Sequence, residues 1–92
     1  MEIVIDGPIP VDRDDIEDAL NESGLGEVNG AGTGMGVAHL DFEVNPAAHR
    51  ATVLTVVFDI LDRLAVGDAV RVRAGDGDFW IRQSEWRSDR SA

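Results

Sequence analysis

The order in which strand-like and helix-like segments follow one another is the feature that most constrains the fold of this chain. The β-branched run Ile3–Ile5 ends at Asp6-Gly7-Pro8, which predicts a first strand closed by a turn. Val37–Val44 alternates between apolar and polar residues, so it predicts a half-buried strand. Three further segments have weaker strand patterns, the last of them a candidate extra C-terminal strand: 25–29, 70–73 and 79–82.

Two amphipathic helices are predicted between these strands. The first begins after Asp12, a good N-cap residue, and ends at Gly24. The second is predicted to begin with Asn45 as its N-cap and Pro46 at the first helical position, and to end at Gly67. Helical spacing assigns core positions to both: Ile16, Ala19 and Leu20 in the first, and Val53, Val57, Ile60, Leu61 and Leu64 in the second.

The resulting order, β-α-β-β-α-β, predicts a ferredoxin-like α+β sandwich with two helices on one face of an antiparallel sheet. Residues 1–83 are expected to form this single domain, and residues 84–92 a polar, frayed C-terminal tail. Cysteine is absent, so no disulfide framework is expected. Met1 leads directly into a strand, and no apolar run approaches membrane-spanning length. We therefore expect a cytoplasmic protein without membrane contact.

A glycine-rich segment, Gly30-Ala31-Gly32-Thr33-Gly34-Met35-Gly36, joins the second and third strands. It lacks the last glycine of a dinucleotide fingerprint, a strand follows it, and the chain has no lysine for a phosphate loop. We therefore expect a long hairpin loop and no cofactor. The backbone of Gly32, Thr33 and Gly34 and the adaptable side chain of Met35 are candidate contacts for a partner.

Acidic charge is concentrated in the first half of the chain. The formal net charge is −10, and residues 1–46 hold eleven of the eighteen acidic residues but one of the eight basic ones. Such a field attracts basic molecules and repels nucleic acid. A GC-rich genome and adaptation to high salt are rival explanations of the acidity, although general salt adaptation should acidify both halves of the chain. The predicted site for a basic protein partner is the outward face of the first helix: Asp14, Asp15, Asp18 and Glu22.

Period-two spacing places His39, Asp41 and Glu43 on one face of the third strand. These side chains can bind a divalent metal, but ligands along one straight strand seldom converge on a single ion, which favours a solvated surface and no metal site. No nucleophile–base arrangement is recognisable, so an enzyme is not expected. Four residues of neighbouring strands should share this face as cross-strand ion pairs: Glu2, Asp6, Arg71 and Arg73.

The run Gly26–Gly36, followed by Leu40–Val44, resembles small uncharacterised bacterial proteins of the immunity type, in which a glycine-rich hairpin precedes an acidic alternating strand. The resemblance implies a stand-alone binding protein and assigns no functional residues. Together with the charge, it leads us to expect a small acidic module that neutralises or inhibits a basic macromolecule.

Two alternatives stay open. One is a regulatory ligand-binding or dimerisation module that uses the open sheet face, with which a homodimer is compatible. The other is a metal-binding protein or weak enzyme acting through His39, Asp41 and Glu43.

Overall fold

The computed structural model describes residues 1–34, 37–75 and 79–86, which form an α+β structure. Its five strands form one antiparallel sheet in the order β2-β3-β1-β4-β5. The strands are β1 (Glu2–Ile5), β2 (Gly26–Gly34), β3 (Val37–Val44), β4 (Val70–Arg73) and β5 (Ile81–Arg82). The helices are α1 (Arg13–Glu22) and α2 (Arg50–Arg63), and a 3₁₀ turn, Gly67–Ala69, precedes β4. The predicted order of strands and helices is confirmed, including the extra strand.

The core lies on one face of this sheet. In the central strand β1, Ile3 pairs with Leu40 of β3 and with Val72 of β4. These fully buried side chains join one apolar cluster with residues of both helices. Since successive side chains of a strand point to opposite faces, the residues that alternate with them line the face away from the helices. We call that second face the open face.

Helix α1 follows the prediction closely. Asp12 is its N-cap, and the Asp12 N–H donates to the carboxylate of Asp15 at 3.2 Å. Ile16 and Leu20 are fully buried. Gly24, which follows the helix, has a φ of 76°, a conformation that L side chains rarely adopt.

Helix α2 begins later than predicted, at Arg50 with His49 as its N-cap. The Oδ1 of Asn45 accepts a hydrogen bond from the Ala47 N–H at 2.9 Å, and the Asn45 carbonyl accepts one from the Ala48 N–H at 2.9 Å. Asn45 therefore stabilises a tight turn after β3. Its short side chain can accept a hydrogen bond from the backbone N–H two residues later in such a turn as readily as it can cap a helix. The predicted start at Asn45 and Pro46 is wrong for this reason.

The end of α2 also lies before the predicted one. Two bonds close its last turn, from the Ala65 N–H to the Asp62 carbonyl at 3.1 Å and from the Val66 N–H to the Leu61 carbonyl at 3.3 Å. This is a Schellman motif, whose left-handed position is usually a glycine. Here Ala65 occupies it, with a φ of 57°. The helix therefore ends, and the chain changes direction, before Gly67.

The glycine-rich segment is a strand over most of its length. Gly30, Gly32 and Gly34 belong to β2 and pair with β3, so the predicted loop is wrong for residues 30–34. A β-bulge between Val28 and Gly30 restores the pairing after a shift of register. The strongly patterned partner β3 offers a complete ladder, which outweighs the poor strand preference of glycine. Met35 and Gly36 lie outside the described residues.

The C-terminal segment packs further than a frayed tail would. Residues 83–86 are helical. The ring of Trp86 stacks on Phe58 of α2, with centroids 4.9 Å apart and planes 11° from parallel. The C-terminal segment is therefore packed against α2 at Trp86, and residues 87–92 lie outside the described part. In residues 1–34, 37–75 and 79–86, no helix has the length and apolar character to cross a membrane.

Candidate functional site

The outward face of α1 carries the predicted acidic surface. Asp14, Asp15, Asp18 and Glu22 are all exposed. Within the described parts of the chain, none of them forms an ion pair. Asp15 additionally caps the helix through the Asp12 N–H. The other three acids are spaced i, i+4, i+8, so they lie in one row along the helix.

The arginines of the sheet neutralise acids on the open face instead. Arg73 Nη2 lies 2.5 Å from Glu2 Oε1, which joins β4 to β1. Arg71 Nε lies 3.0 Å from Asp6 Oδ2, and Arg82 of β5 donates to both carboxylate oxygens of Asp6, at 3.0 and 3.1 Å. The predicted cross-strand pairs of Glu2 and Asp6 with β4 are confirmed, and Arg82 adds to them.

This arrangement of arginines lowers the pKa of Asp6. The hydrogen bonds from Arg82, together with the positive charges of Arg82 and Arg71, lower the pKa of the Asp6 carboxyl below its ordinary value. The carboxylate is thus held in its charged form by the fold.

An aromatic ring covers the β4 side of the open face. Trp80 lies 4.5 Å from the guanidinium carbon of Arg71 and 5.2 Å from that of Arg73, within the range of cation–π attraction. Val4, which pairs with His39 and Arg71, is buried on this face. Phe79, by contrast, is 89% exposed. This side of the sheet is therefore charge-balanced and largely covered.

The β2–β3 side of the open face is acidic. Glu27 of β2 lies directly opposite Glu43 of β3. Asp41 precedes Glu43 by two residues on β3, so its side chain lies on the same face. No arginine in the described segments forms an ion pair with any of the three. Like charges placed directly opposite across strands are destabilising. We call Glu27, Asp41 and Glu43 the acidic strip.

His39, Asp41 and Glu43 lie in a line along β3. These three residues lie on the open face as predicted, but in the described part of the chain no three His, Asp or Glu side chains are placed to share an ion. His39 Nδ1 instead lies 4.0 Å from Glu2 Oε2.

The predicted contact residues fall on two neighbouring elements. The four acids lie on α1, whereas Gly32, Thr33 and Gly34 lie on the edge strand β2, which packs against α1. The Oδ1 of Asn21, near the end of α1, accepts a hydrogen bond from the Val28 N–H at 2.8 Å and so ties the two elements together. Met35, the last predicted contact, lies outside the described residues.

The sequence did not reveal the acidic strip. If the pairing register that begins with Gly34 opposite Val37 continued without a bulge, Val28 would lie opposite Glu43. The bulge moves Glu27 into that place. Nothing in the local sequence other than the run of glycines signals a bulge there.

Comparison of the chain with protein-family models, with curated proteins and with solved structures gives no match in any of the three.

Proposed function

We propose that this chain is a small acidic protein-binding module that neutralises a basic macromolecular partner, as an inhibitor or immunity protein does, and that it is not an enzyme. The observation that carries the proposal is the separation of charge. The sheet arginines bind Glu2 and Asp6, whereas the α1 acids are exposed and form no ion pair within the described residues.

The row of acids on α1 supports this proposal energetically. Asp14, Asp18 and Glu22 repel one another at i, i+4 spacing, which costs roughly 0.2–0.5 kcal/mol per pair. Glu22 also lies at the negative end of the helix dipole, where an acid is unfavourable. Helix formation gains from Asp14, which lies in the first turn, but not from Asp18 or Glu22, whereas a basic partner would gain from the whole row by faster association.

The arrangement of the two helices determines where the acids of α1 lie. The strand order β2-β3-β1-β4, with one helix before β2 and one before β4, supports a ferredoxin-like sandwich. In that arrangement the two helices lie side by side on the core face. The acids of α1 then face away from the sheet, in a position where a large partner can reach them.

The test is a pull-down with two variants that remove equal charge from different helices. Asp18→Asn with Glu22→Gln acts on α1, and Asp59→Asn with Asp62→Asn is the control on α2. We expect basic proteins to be captured by the wild type and by the control but lost by the α1 variant. Capture should also fall steeply between about 0.05 and 0.5 M salt, because exposed charges are screened.

Two results would contradict the proposal. One is that the α1 variant captures the same proteins as the control. The other is that capture does not change with salt concentration, since an electrostatic contact between exposed groups weakens as salt is added.

A ligand-binding role of the open face is the second candidate, and one observation favours it. A hollow of about 290 Å³ lies at the end of the acidic strip, next to Glu2 and Arg73, so it offers both signs of charge. Stabilisation of the wild type by small cationic or zwitterionic molecules in a thermal-shift screen, lost in Asp41→Asn, would favour this candidate over the first.

A further inference from the structure

We propose that the outer edge of β2, over residues 30–34, takes up an extended basic peptide segment as an additional strand. The choice of a basic occupant rests on the proposed function. The location rests on separate observations of backbone direction, side-chain space and charge.

The pairing of β3 fixes which backbone groups of β2 point outward. The Phe42 N–H donates to the Met1 carbonyl at 2.9 Å, and the Met1 amino group donates to the Phe42 carbonyl at 3.0 Å, so the polar groups of Phe42 face the β1 side. Along an antiparallel strand these groups alternate in direction. Those of Asp41 and His39 therefore face β2.

Their partners on β2 point back toward β3. Gly30 pairs with Asp41 and Gly32 with His39. The N–H and C=O groups of the intervening residue Ala31, and those of Thr33 after it, consequently point away from the sheet. No described residue is shown bonding to them, and both residues are exposed. They form a short open template for another strand.

The other half of this edge is already closed. The outward N–H of Val28 donates to Asn21 of α1. An incoming strand is thereby confined to the part of β2 after the bulge.

The glycines of this segment are not explained by the fold. A Cβ at Gly32 or at Gly34 would meet no atom within 4 Å, and neither glycine has a positive φ. Only Gly30 has a close neighbour, since its Cβ would lie 3.1 Å from Asp41 Oδ2. Packing of the described residues therefore does not require glycine at positions 32 and 34. The absence of side chains there leaves the open face accessible.

The acidic strip determines what the occupant carries. Strands lie about 4.8 Å apart, so β3 would be about 10 Å from an added strand. A long basic side chain of the added strand can cross the bare backbone of Gly30 and Gly32 to reach Asp41. A second copy of the chain is disfavoured as the occupant, because each copy brings a net charge of −10.

The experiment measures fluorescence anisotropy of a labelled peptide of alternating arginine and threonine, mixed with the full chain. The comparison peptide has the same sequence and charge but N-methyl groups at alternate backbone nitrogens. We expect binding of the unmodified peptide and at least about tenfold weaker binding of the methylated one, since two or more backbone hydrogen bonds are lost.

Variants of the chain locate the contact. Ala31→Pro removes an outward N–H that the sheet does not use, so it should weaken peptide binding about as much as methylation of the peptide does. Ala31→Val keeps this N–H and should not weaken binding. Asp41→Asn with Glu43→Gln should weaken binding in a salt-dependent way. Asp18→Asn with Glu22→Gln should leave it unchanged, which separates this proposal from the α1 surface.

Three results would overturn the inference. Equal binding of the methylated and unmodified peptides would show charge attraction without strand addition, and this comparison holds even if a proline variant does not fold. Absence of binding to either peptide would remove the site. A dimer in light scattering that is lost in Ala31→Pro would make a second copy the occupant.

Discussion

At the scale of single residues, Asp6 holds together the end of the sheet that the C-terminal segment completes. Its carboxylate receives two hydrogen bonds from Arg82 of β5 and an ion pair from Arg71 of β4. Arg82 also donates to the Asp68 carbonyl, so one guanidinium joins the residue that follows β1, the 3₁₀ turn and β5. The short strand β5 depends on this contact because its two residues offer little ladder of their own.

Replacing Asp6 with Asn should therefore make stability depend differently on pH. The folded pKa of Asp6 lies below its unfolded value of about 3.9, so its contribution is complete above that value and is lost as pH falls through the folded pKa. We expect Asp6→Asn to cost about 1 kcal/mol near neutral pH, with the difference from wild type shrinking below about pH 4. Urea unfolding at a series of pH values measures this.

The control for Asp6 is Asp59→Asn, which removes the exposed pair with Arg63 on α2. It should cost only a few tenths of a kcal/mol. A wild-type advantage over Asp6→Asn that persists unchanged to pH 2 would contradict the argument.

Ala65 is a second residue whose backbone is informative. It holds the left-handed position of the Schellman motif, which costs an L side chain roughly 1–2 kcal/mol. We expect Ala65→Gly to raise the free energy of unfolding by about 1 kcal/mol. Ala51→Gly, in the first turn of α2, should lower it by about 0.5 kcal/mol. Chemical denaturation of both variants checks the opposite signs, and a loss of stability in Ala65→Gly would refute the explanation.

At the scale of elements, β2 is divided into two halves by its bulge. In the first half Gly26 lies so close to β3 that a Cβ there would overlap the Glu43 carbonyl oxygen. In the second half, Gly32 has open space around it. The same residue type therefore has a steric role at one end of the strand and none at the other.

Alanine substitutions separate the two roles. Gly26→Ala should cost about 2–3 kcal/mol because backbone must move. Gly32→Ala should change stability by less than about 0.5 kcal/mol, with a bias toward stabilisation through the unfolded chain. Thermal unfolding of the two variants provides the measurement, and similar losses in both would mean that the halves of β2 are not distinct.

The elements also show how far sequence reasoning reaches. The core face of α2 and the alternation of β3 follow from periodicity, because burial of one face determines both patterns. The start of α2 could not be predicted from Asn45, since an Asx turn and an N-cap use the same side-chain bond. The local pattern of the β2 glycines predicts a loop, because their pairing as a strand depends on the distant partner β3 and not on their own preference.

At the scale of the whole molecule, the acidic charge occupies two surfaces on opposite sides of the sheet. The α1 row lies on the helix side and the acidic strip on the open side, with the edge of β2 between them. The sequence predicted the first surface from helical spacing alone. It did not predict the second, because that surface is created by the bulge register.

The open edge of β2 has a consequence for how this protein behaves in concentrated solution. Natural proteins protect exposed sheet edges with a lysine, a proline or an inward-pointing charge that prevents pairing between copies, and residues 30–34 carry none of these. Electrostatic repulsion between whole molecules must then provide colloidal stability. Near the isoelectric point, about pH 4.3, the net charge that causes this repulsion is lost. Acidification toward this pH should thus favour association of chains along the open edge of β2.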